Sequence, residues 1–393
     1  MKLRYLSFVL LPALWSCSSS DSGSNYIDPY ANVKVTFGTT IDVDNLANYA
    51  NQNIPSYITK DNTTGNPITN KGATLGRVLF YDKNLSATNT VSYATCHQQA
   101  NAFSDANVAS IGVNGTTGRH AMRLINTRFA VENKFFWDER AATLELQTTQ
   151  PIQNHSEMGF SGTSGDEGFS GLVTKLNQIA YYKELFKFVY GSEEITENKI
   201  QLALAQFIRS IQSFDSKYDT GRAQVANDGQ LFPNFTAQEN QGKNLFLSPP
   251  VFDATGNRIA GGVGCAGCHA APEFDIAPNS GNNGIIGVLN GTGIDITNTR
   301  APSLRDLVKL DGTLNGPLMH TGFFTSLQMA IGHYGTINIA PGNTNLDPKL
   351  RPNGFGQQLH FTAAEINSLI AFLKTLSGSN VYTDAKWGNP FPN

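Results

Sequence analysis

Charge is scarce in this chain, and cysteine scarcer. Only 15% of the 393 residues are Asp, Glu, Lys or Arg, and 28 basic against 31 acidic side chains leave a formal charge of -3. Such a near-neutral balance gives no reason to expect nucleic acid or an anionic surface as partner. Beyond residue 20 no apolar run reaches the roughly 20 residues that a membrane-spanning helix needs. With 40% hydrophobic residues and 37 glycines, the composition excludes a disordered or coiled-coil chain and suits a globular protein with long ordered loops. The length exceeds what one ordinary core organises, so two domains are expected.

The first residues read as an export signal. Lys2 and Arg4 precede the apolar run Leu6 to Leu14, then Trp15-Ser16-Cys17 and a Ser/Gly-rich stretch. A basic start followed by a short apolar segment is a secretory signal. The ending looks like a bacterial lipoprotein signal, residues 1–17, with Cys17 becoming the lipidated N-terminus and residues 18–73 forming a tether and N-terminal extension. The alternative is a plain signal peptide cut nearby, with Cys17 discarded. Either way the expected location is the periplasm; in the first case the protein is lipid-anchored to a cell-envelope membrane.

Three cysteines remain, an odd number. Residues 265–269 read Cys-Ala-Gly-Cys-His. Thiols three residues apart share one face of a helical turn and can each add to a vinyl group of one haem, while His269 offers its imidazole to the iron. In an exported protein this is a specific c-type haem signal. A zinc half-site would need a second ligand pair at matching spacing, and none is nearby. A thioredoxin-like dithiol has no use for His269.

Residues 93–97 read Tyr-Ala-Thr-Cys-His, the same pattern with the first cysteine replaced. Around it stand Leu79-Phe80-Tyr81-Asp82, Leu85-Ser86 and Phe103-Ser104-Asp105. In these residues the chain resembles the bacterial di-haem cytochrome c peroxidases and the related methylamine-utilisation-type di-haem oxidases. Their first attachment site runs Leu-Phe-Tyr-Asp, Leu-Ser, Ser-Cys-x-x-Cys-His, Phe-Ser-Asp. The departure at Tyr93 leaves one thioether, from Cys96, with His97 still able to ligate iron; the alternative is a site that has lost its haem. Phe136-Trp137-Asp138-Glu139-Arg140-Ala141, then Leu144, Gln147, Pro151-Ile152 and Glu157-Met158, match the family's next block in spacing, with Glu139 for the usual glycine. The resemblance spans about residues 74 to 378.

It implies an all-α fold of two cytochrome c-like domains, a peroxidatic haem domain over 74–220 and an electron-transfer domain over 221–393. It implies two haem c groups, the first held by one thioether. By the same resemblance Glu157 lies over the peroxidatic haem, Gln147 and Pro151 shape that pocket, and Trp137 stands between the haems. A carboxylate within reach of bound peroxide can shift its proton from the inner to the outer oxygen, and burial tunes its pKa. Many members carry a displaceable histidine about where Val113 falls here. Valine cannot ligate iron, so the first haem is expected to be open to peroxide, with His120 the less favoured substitute.

In the C-terminal part, Arg300-Ala301-Pro302-Ser303-Leu304-Arg305 and Pro317-Leu318-Met319-His320-Thr321-Gly322 match further family segments and bring the second haem's distal ligand to Tyr334. Ordinary peroxidases have methionine there and the oxidase subgroup tyrosine. An anionic phenolate stabilises ferric and higher iron relative to a thioether. That would make this haem a poorer acceptor from small cytochromes and a better store of oxidising equivalents. His333, Met319 and Met329 are the rivals. The family's inter-domain calcium would fall at His120 and Asn315 to Pro317. Imidazole is a poor calcium ligand, so calcium stays open.

The partners implied are hydrogen peroxide, a small donor cytochrome or cupredoxin and, in some members, a second copy of the chain. The function implied is peroxide reduction with external electrons. Its alternatives are a peroxide-dependent oxidase acting on another protein or small molecule, and a non-enzymatic electron carrier. Ile200, Leu204, Phe207, Ile208 and Ile211 recur at helical spacing. Thr236 with Glu239 and Thr362 with Glu365 read as capping boxes. Ile366, Leu369, Ile370 and Leu373 form one face of a helix expected to cross the second haem domain. Residues 25–73 and 248–262 read as loops or additions.

Overall fold

The computed structural model describes residue 1 and residues 28–130, 134–276 and 280–392. The signal segment, Cys17 and the tether up to residue 27 lie outside the described residues, apart from Met1. Among the described residues there are twelve α-helices, seven 3-10 turns and three two-stranded antiparallel sheets. None of these helices is long and apolar enough to cross a membrane.

Each half is built on one close helix crossing. Thr69 caps the helix Asn70–Tyr81 by accepting from Gly72 N–H. That helix lies against Glu197–Ser210, whose buried face includes the periodic Ile200, Leu204, Phe207 and Ile208. At the crossing a Cβ on Gly76 would stand 2.0 Å from the Ala203 carbonyl oxygen, so only glycine lets the backbones approach so closely. The second half repeats the device: Ala237–Leu247 crosses Ala363–Lys374, and a Cβ on Gly242 would lie 1.9 Å from Ser368 O. Both of these helices carry the expected capping boxes, Thr236 with Glu239 and Thr362 with Glu365.

Two large apolar cores result. One gathers residues from Val33 to Ile211 and the other residues from Tyr218 to Leu376. The chain then returns, and Val381 and Trp387 pack into the first core. Two stretches that read as loops are more ordered than that. Ala31–Phe37 is a helix, because Val33 and Phe37 have the first core to bury against. Pro250–Phe252 pairs with Arg258–Gly261 in a hairpin whose turn is held by Asp253 Oδ1, which accepts from Thr255 N–H at 2.8 Å and Asn257 N–H at 2.9 Å.

One ion pair is fully removed from water. Arg305 donates through both terminal nitrogens to Asp219, each at 2.9 Å. The Tyr57 hydroxyl, from the N-terminal extension, donates to the same carboxylate at 2.7 Å, and Ser216 Oγ donates at 2.6 Å. Every acceptor site on Asp219 is thus in use, which holds its pKa below the ordinary carboxylate value despite burial. Removing one partner strands a buried charge, a loss of about 3–5 kcal/mol. Asp219→Ala is therefore expected to lower the unfolding free energy by about that amount in urea titrations of the mature protein, and a loss below about 1 kcal/mol would show that water enters this site.

Candidate haem and redox sites

The short helix Tyr93–Cys96 begins at a Ser92/Thr95 capping box and ends on His97. The chain then folds back through Ala102 and Phe103, both at left-handed φ (+52° and +57°), a conformation that non-glycine residues adopt only when the surroundings impose it. The turn brings the Phe103 carbonyl to 3.1 Å from His97 Nδ1. Only an N–H can bond a carbonyl, so Nε2 keeps the lone pair, as a metal-ligating histidine requires. Burial lowers the His97 pKa and favours that neutral form.

Tyr93 occupies the place of the missing cysteine. Its ring stacks on Phe80 with centroids 5.9 Å apart, and its hydroxyl donates to the Thr148 carbonyl. Thr148 closes the helix Leu144–Thr148, which carries Gln147, and Pro151 opens the turns leading to Glu157. Glu157 N–H is held by Asn154 Oδ1 at 3.2 Å, and Glu157 O accepts from Val113 N–H at 3.0 Å. Its carboxylate, by contrast, has no hydrogen-bond partner among the described residues. Burial pushes this acid up to about 7, opposed only by Arg140. Its charge in turn reaches Tyr93 and Cys96, adding to the burial that drives the Cys96 thiol to about 12. Cys96, His97 and Glu157 therefore belong to one neighbourhood, and Gln147 and Pro151 lie on the segment that leads into it. Val113 packs against Gly159, and both ring nitrogens of His120 are occupied, Nδ1 3.0 Å from Asn107 O and Nε2 3.3 Å from Ser104 Oγ. His120 is thus not a spare ligand.

The second site is a cavity of about 630 Å³ whose walls include Cys265, Cys268, His269, Tyr334 and Trp137. The size is that of a cofactor pocket. Leu369 and Leu373 of the late helix line it too, as the periodicity implied. Both cysteines are free thiols, raised by burial to about 12 and about 11. A redox dithiol needs a lowered thiol pKa, so the pair does not fit that chemistry. Nor does it fit zinc: no cluster of three or more His, Cys, Asp or Glu among the described residues is placed to hold a bare metal ion. His269 is pushed down to about 4 by burial, and its Nδ1 is buried without a hydrogen-bond partner among the described residues. A group that supplies its own four nitrogen ligands, fills an apolar cavity and takes two thioethers meets all of these conditions; haem c fits.

Of the rivals to Tyr334, His333 Nε2 is engaged by Asn283 O at 2.9 Å, and Met329 is 45% exposed. Met319 alone shares the cavity wall with Tyr334. Burial raises the Tyr334 pKa.

Trp137 connects the neighbourhoods. Its indole N–H donates to the His120 carbonyl at 2.7 Å, and its ring lies 6.1 Å from that of His320. Glu139, two residues on, has φ +60°, a conformation that suits glycine better than glutamate; its Oε2 accepts from Asn298 Nδ2 at 3.0 Å. Sequence reasoning missed Arg123, which lines the second cavity and is lowered by burial to about 10. It also missed Asn283, also on the wall. Neither stands in a motif, though an arginine three residues after His120 was a visible signal.

A family model described as di-haem cytochrome c peroxidase matches residues 70–226. The methylamine utilization protein MauG of Methylophilus methylotrophus is 28% identical over 322 residues, covering 80% of this chain and 84% of that protein. The cytochrome c551 peroxidase of Nitrosomonas europaea is 28% identical over 321 residues, covering 78% and 80%. Among solved structures, a MauG-like protein associated with microbial copper homeostasis superposes with a TM-score of 0.67 at 27% identity, covering 86% of this chain and 99% of that one.

The raised acid at Glu157 yields a direct expectation. Infrared difference spectra should show a protonated carboxyl that ionises near pH 7 and is absent from Glu157→Gln; a carboxyl ionising at the ordinary 4.5 would contradict the burial described.

Proposed function

The chain belongs to the di-haem cytochrome c peroxidase family, and from that premise we propose that it reduces hydrogen peroxide at the His97 site with electrons entering through the His269 site. It is an oxidoreductase, like its relatives. The observation that carries the proposal is Glu157, a half-buried carboxyl beside Cys96 with no hydrogen-bond partner among the described residues, whose pKa desolvation pushes up to about 7. Such a group is free to take a substrate proton.

In this reading His97 and Cys96 hold the first haem, and Cys265, Cys268, His269 and Tyr334 hold the second, in two all-α cytochrome c-like domains over 74–220 and 221–393. Bound there, haem c supplies the iron that exchanges electrons with peroxide, a chemistry no side chain offers. Glu157 takes the proton of the incoming peroxide and returns it to the departing oxygen. Gln147 and Pro151 shape the space around that transfer. Trp137, pinned by the His120 carbonyl, provides the aromatic bridge between the sites. A calcium ion here would have to rely on backbone carbonyls around His120 and Asn315 to Pro317, because the His120 ring is fully engaged. The proposal places the protein in the periplasm, tethered through Cys17 and supplied by a small cytochrome or cupredoxin; a homodimer is compatible with it.

A second reading is a peroxide-dependent oxidase that draws its electrons from another protein or small molecule. Tyr334 on the second cavity and Val113 in place of a histidine favour it. Steady-state turnover with a reduced cytochrome separates the two, since only the peroxidase sustains it.

Glu157 works as a base only when ionised, so kcat/KM for peroxide is expected to rise as the pH climbs through about 7. Glu157→Gln should remove that rise and cost roughly 10²- to 10⁴-fold in rate. Unchanged peroxide turnover in the variant would refute the acid/base assignment.

A further inference from the structure

Three long cationic side chains stand in the wall of the second cavity: Arg123, Arg300 and Lys349. Two of them have an acid within reach. Arg300 Nη2 lies 3.6 Å from Asp275 Oδ2, and Lys349 Nζ lies 3.8 Å from Asp347 Oδ1. Arg123 has none: no carboxylate oxygen of the described residues comes within 4.0 Å of its nitrogens. Its one hydrogen bond among these residues runs from Nη2 to the Ser303 carbonyl at 3.3 Å, and its Nε is buried with no partner. Asp306, the acid whose field does reach it, forms no ion pair and uses Oδ1 to accept from Gly378 N–H at 2.9 Å. A guanidinium stays charged at neutral pH even where burial brings it down to about 10. A buried charge without a counter-ion is costly, so this wall is short of an anion.

Arg123 also stands apart from the cysteines. The Cys265–Gly267 turn is backed by Pro250 and Lys349: a Cβ on Gly264 would stand 2.7 Å from Pro250 Cδ, and one on Gly267 3.7 Å from Lys349 Cδ. Arg123 instead bonds the Arg300–Ser303 segment, whose Arg300 N–H donates to Trp137 O at 2.7 Å. A haem carries its two propionate carboxylates on the edge opposite the vinyl groups that thioethers fix, and the guanidinium fork matches a carboxylate. We propose that Arg123 is the counter-ion of a propionate on the haem held at His269, bound through donors that no protein acceptor uses, so that a side chain of the first half completes the cofactor site of the second. This rests on the reading of Cys265, Cys268 and His269 as a haem c site. Arg123 follows His120 by three residues, and the His120 carbonyl takes the Trp137 indole hydrogen at 2.7 Å. The contact therefore ties that haem's edge to the segment that holds the aromatic bridge. A fixed positive charge beside the porphyrin favours ferrous over ferric iron, so Arg123 also raises the potential of the second site.

The test uses the haem-loaded full chain. It reads the propionate-bending bands in resonance Raman spectra, which respond to hydrogen bonding at the carboxylates, and the two haem potentials in a spectroelectrochemical titration. Arg123→Gln removes the charge and should shift a propionate band and lower the potential of one haem, leaving the other in place. Arg123→Lys keeps the charge but not the fork; it should shift the band too while holding the potential near the wild-type value, a split that mere structural damage would not produce. If the glutamine variant does not fold, the lysine variant alone still decides, because its band must move. Propionate bands unmoved in these variants would overturn the proposal, as would equal falls in both potentials or a lysine variant whose potential drops as far as that of the glutamine variant. The mass of the denatured wild-type chain, compared with Cys265→Ala/Cys268→Ala, tests the underlying reading separately. A wild type with no haem bound at those cysteines would overturn the second haem site itself, and the role of Arg123 with it.

Discussion

The 2.8 Å main-chain hydrogen bond from His120 N–H to the His320 carbonyl ties the two halves of this protein together, and the Trp137 indole is bonded to that same His120 at 2.7 Å. His120 is tied into the first site by Ser104 and Asn107, while its own N–H donates to the His320 carbonyl in the second half at 2.8 Å. On the far side, Arg300 N–H donates to Trp137 O at 2.7 Å. Next door, Arg119 pairs with Asp138 at 2.6 Å and with Asp295 at 2.5 Å. Trp137 is thus held through its indole from the first half and through its main-chain carbonyl from the second, and electron transfer between two proposed haem sites needs that constancy. The paired glycine crossings, which give each half a rigid core, extend the same principle outward.

Burial then sets the chemistry. Burial favours the neutral form of the groups facing the proposed haems: thiols are raised, His97 and His269 lowered, and Glu157 is lifted to about 7, where it can exchange a proton. Neutral imidazoles are the form that ligates iron. Protonated, buried thiols make poor disulfide-exchange groups, so the same low-dielectric setting that favours a porphyrin disfavours the competing cysteine chemistries. Among the described residues the ion pair most fully removed from water is Arg305 with Asp219.

Much of the site was legible because covalent and axial haem attachment needs particular residues at fixed spacing. Cys265, Cys268 and His269 could be read from the sequence alone, and Trp137 and Glu157 from their place in a family pattern. The helices Glu197–Ser210 and Ala363–Lys374 were legible from periodicity and caps. Less visible was anything that depends on where a loop goes. Ala31–Phe37 is a short helix stabilised by a distant core, and the hairpin at 250–261 is held by Asp253, so neither has a strong local signal. Asn283 is the sharper case. In a stretch rich in Gly and Asn it reads as a generic turn former, and only the fold shows its amide directed at Met319 Sδ on the cavity wall.

The central claim is that one polypeptide holds two haems, one of them through the single cysteine Cys96. The most direct measurement is the haem-to-protein ratio of the purified mature chain, together with the mass of the denatured polypeptide. The account predicts two haems per chain, both retained covalently. A ratio of one, with haem only at Cys265 and Cys268, would contradict it.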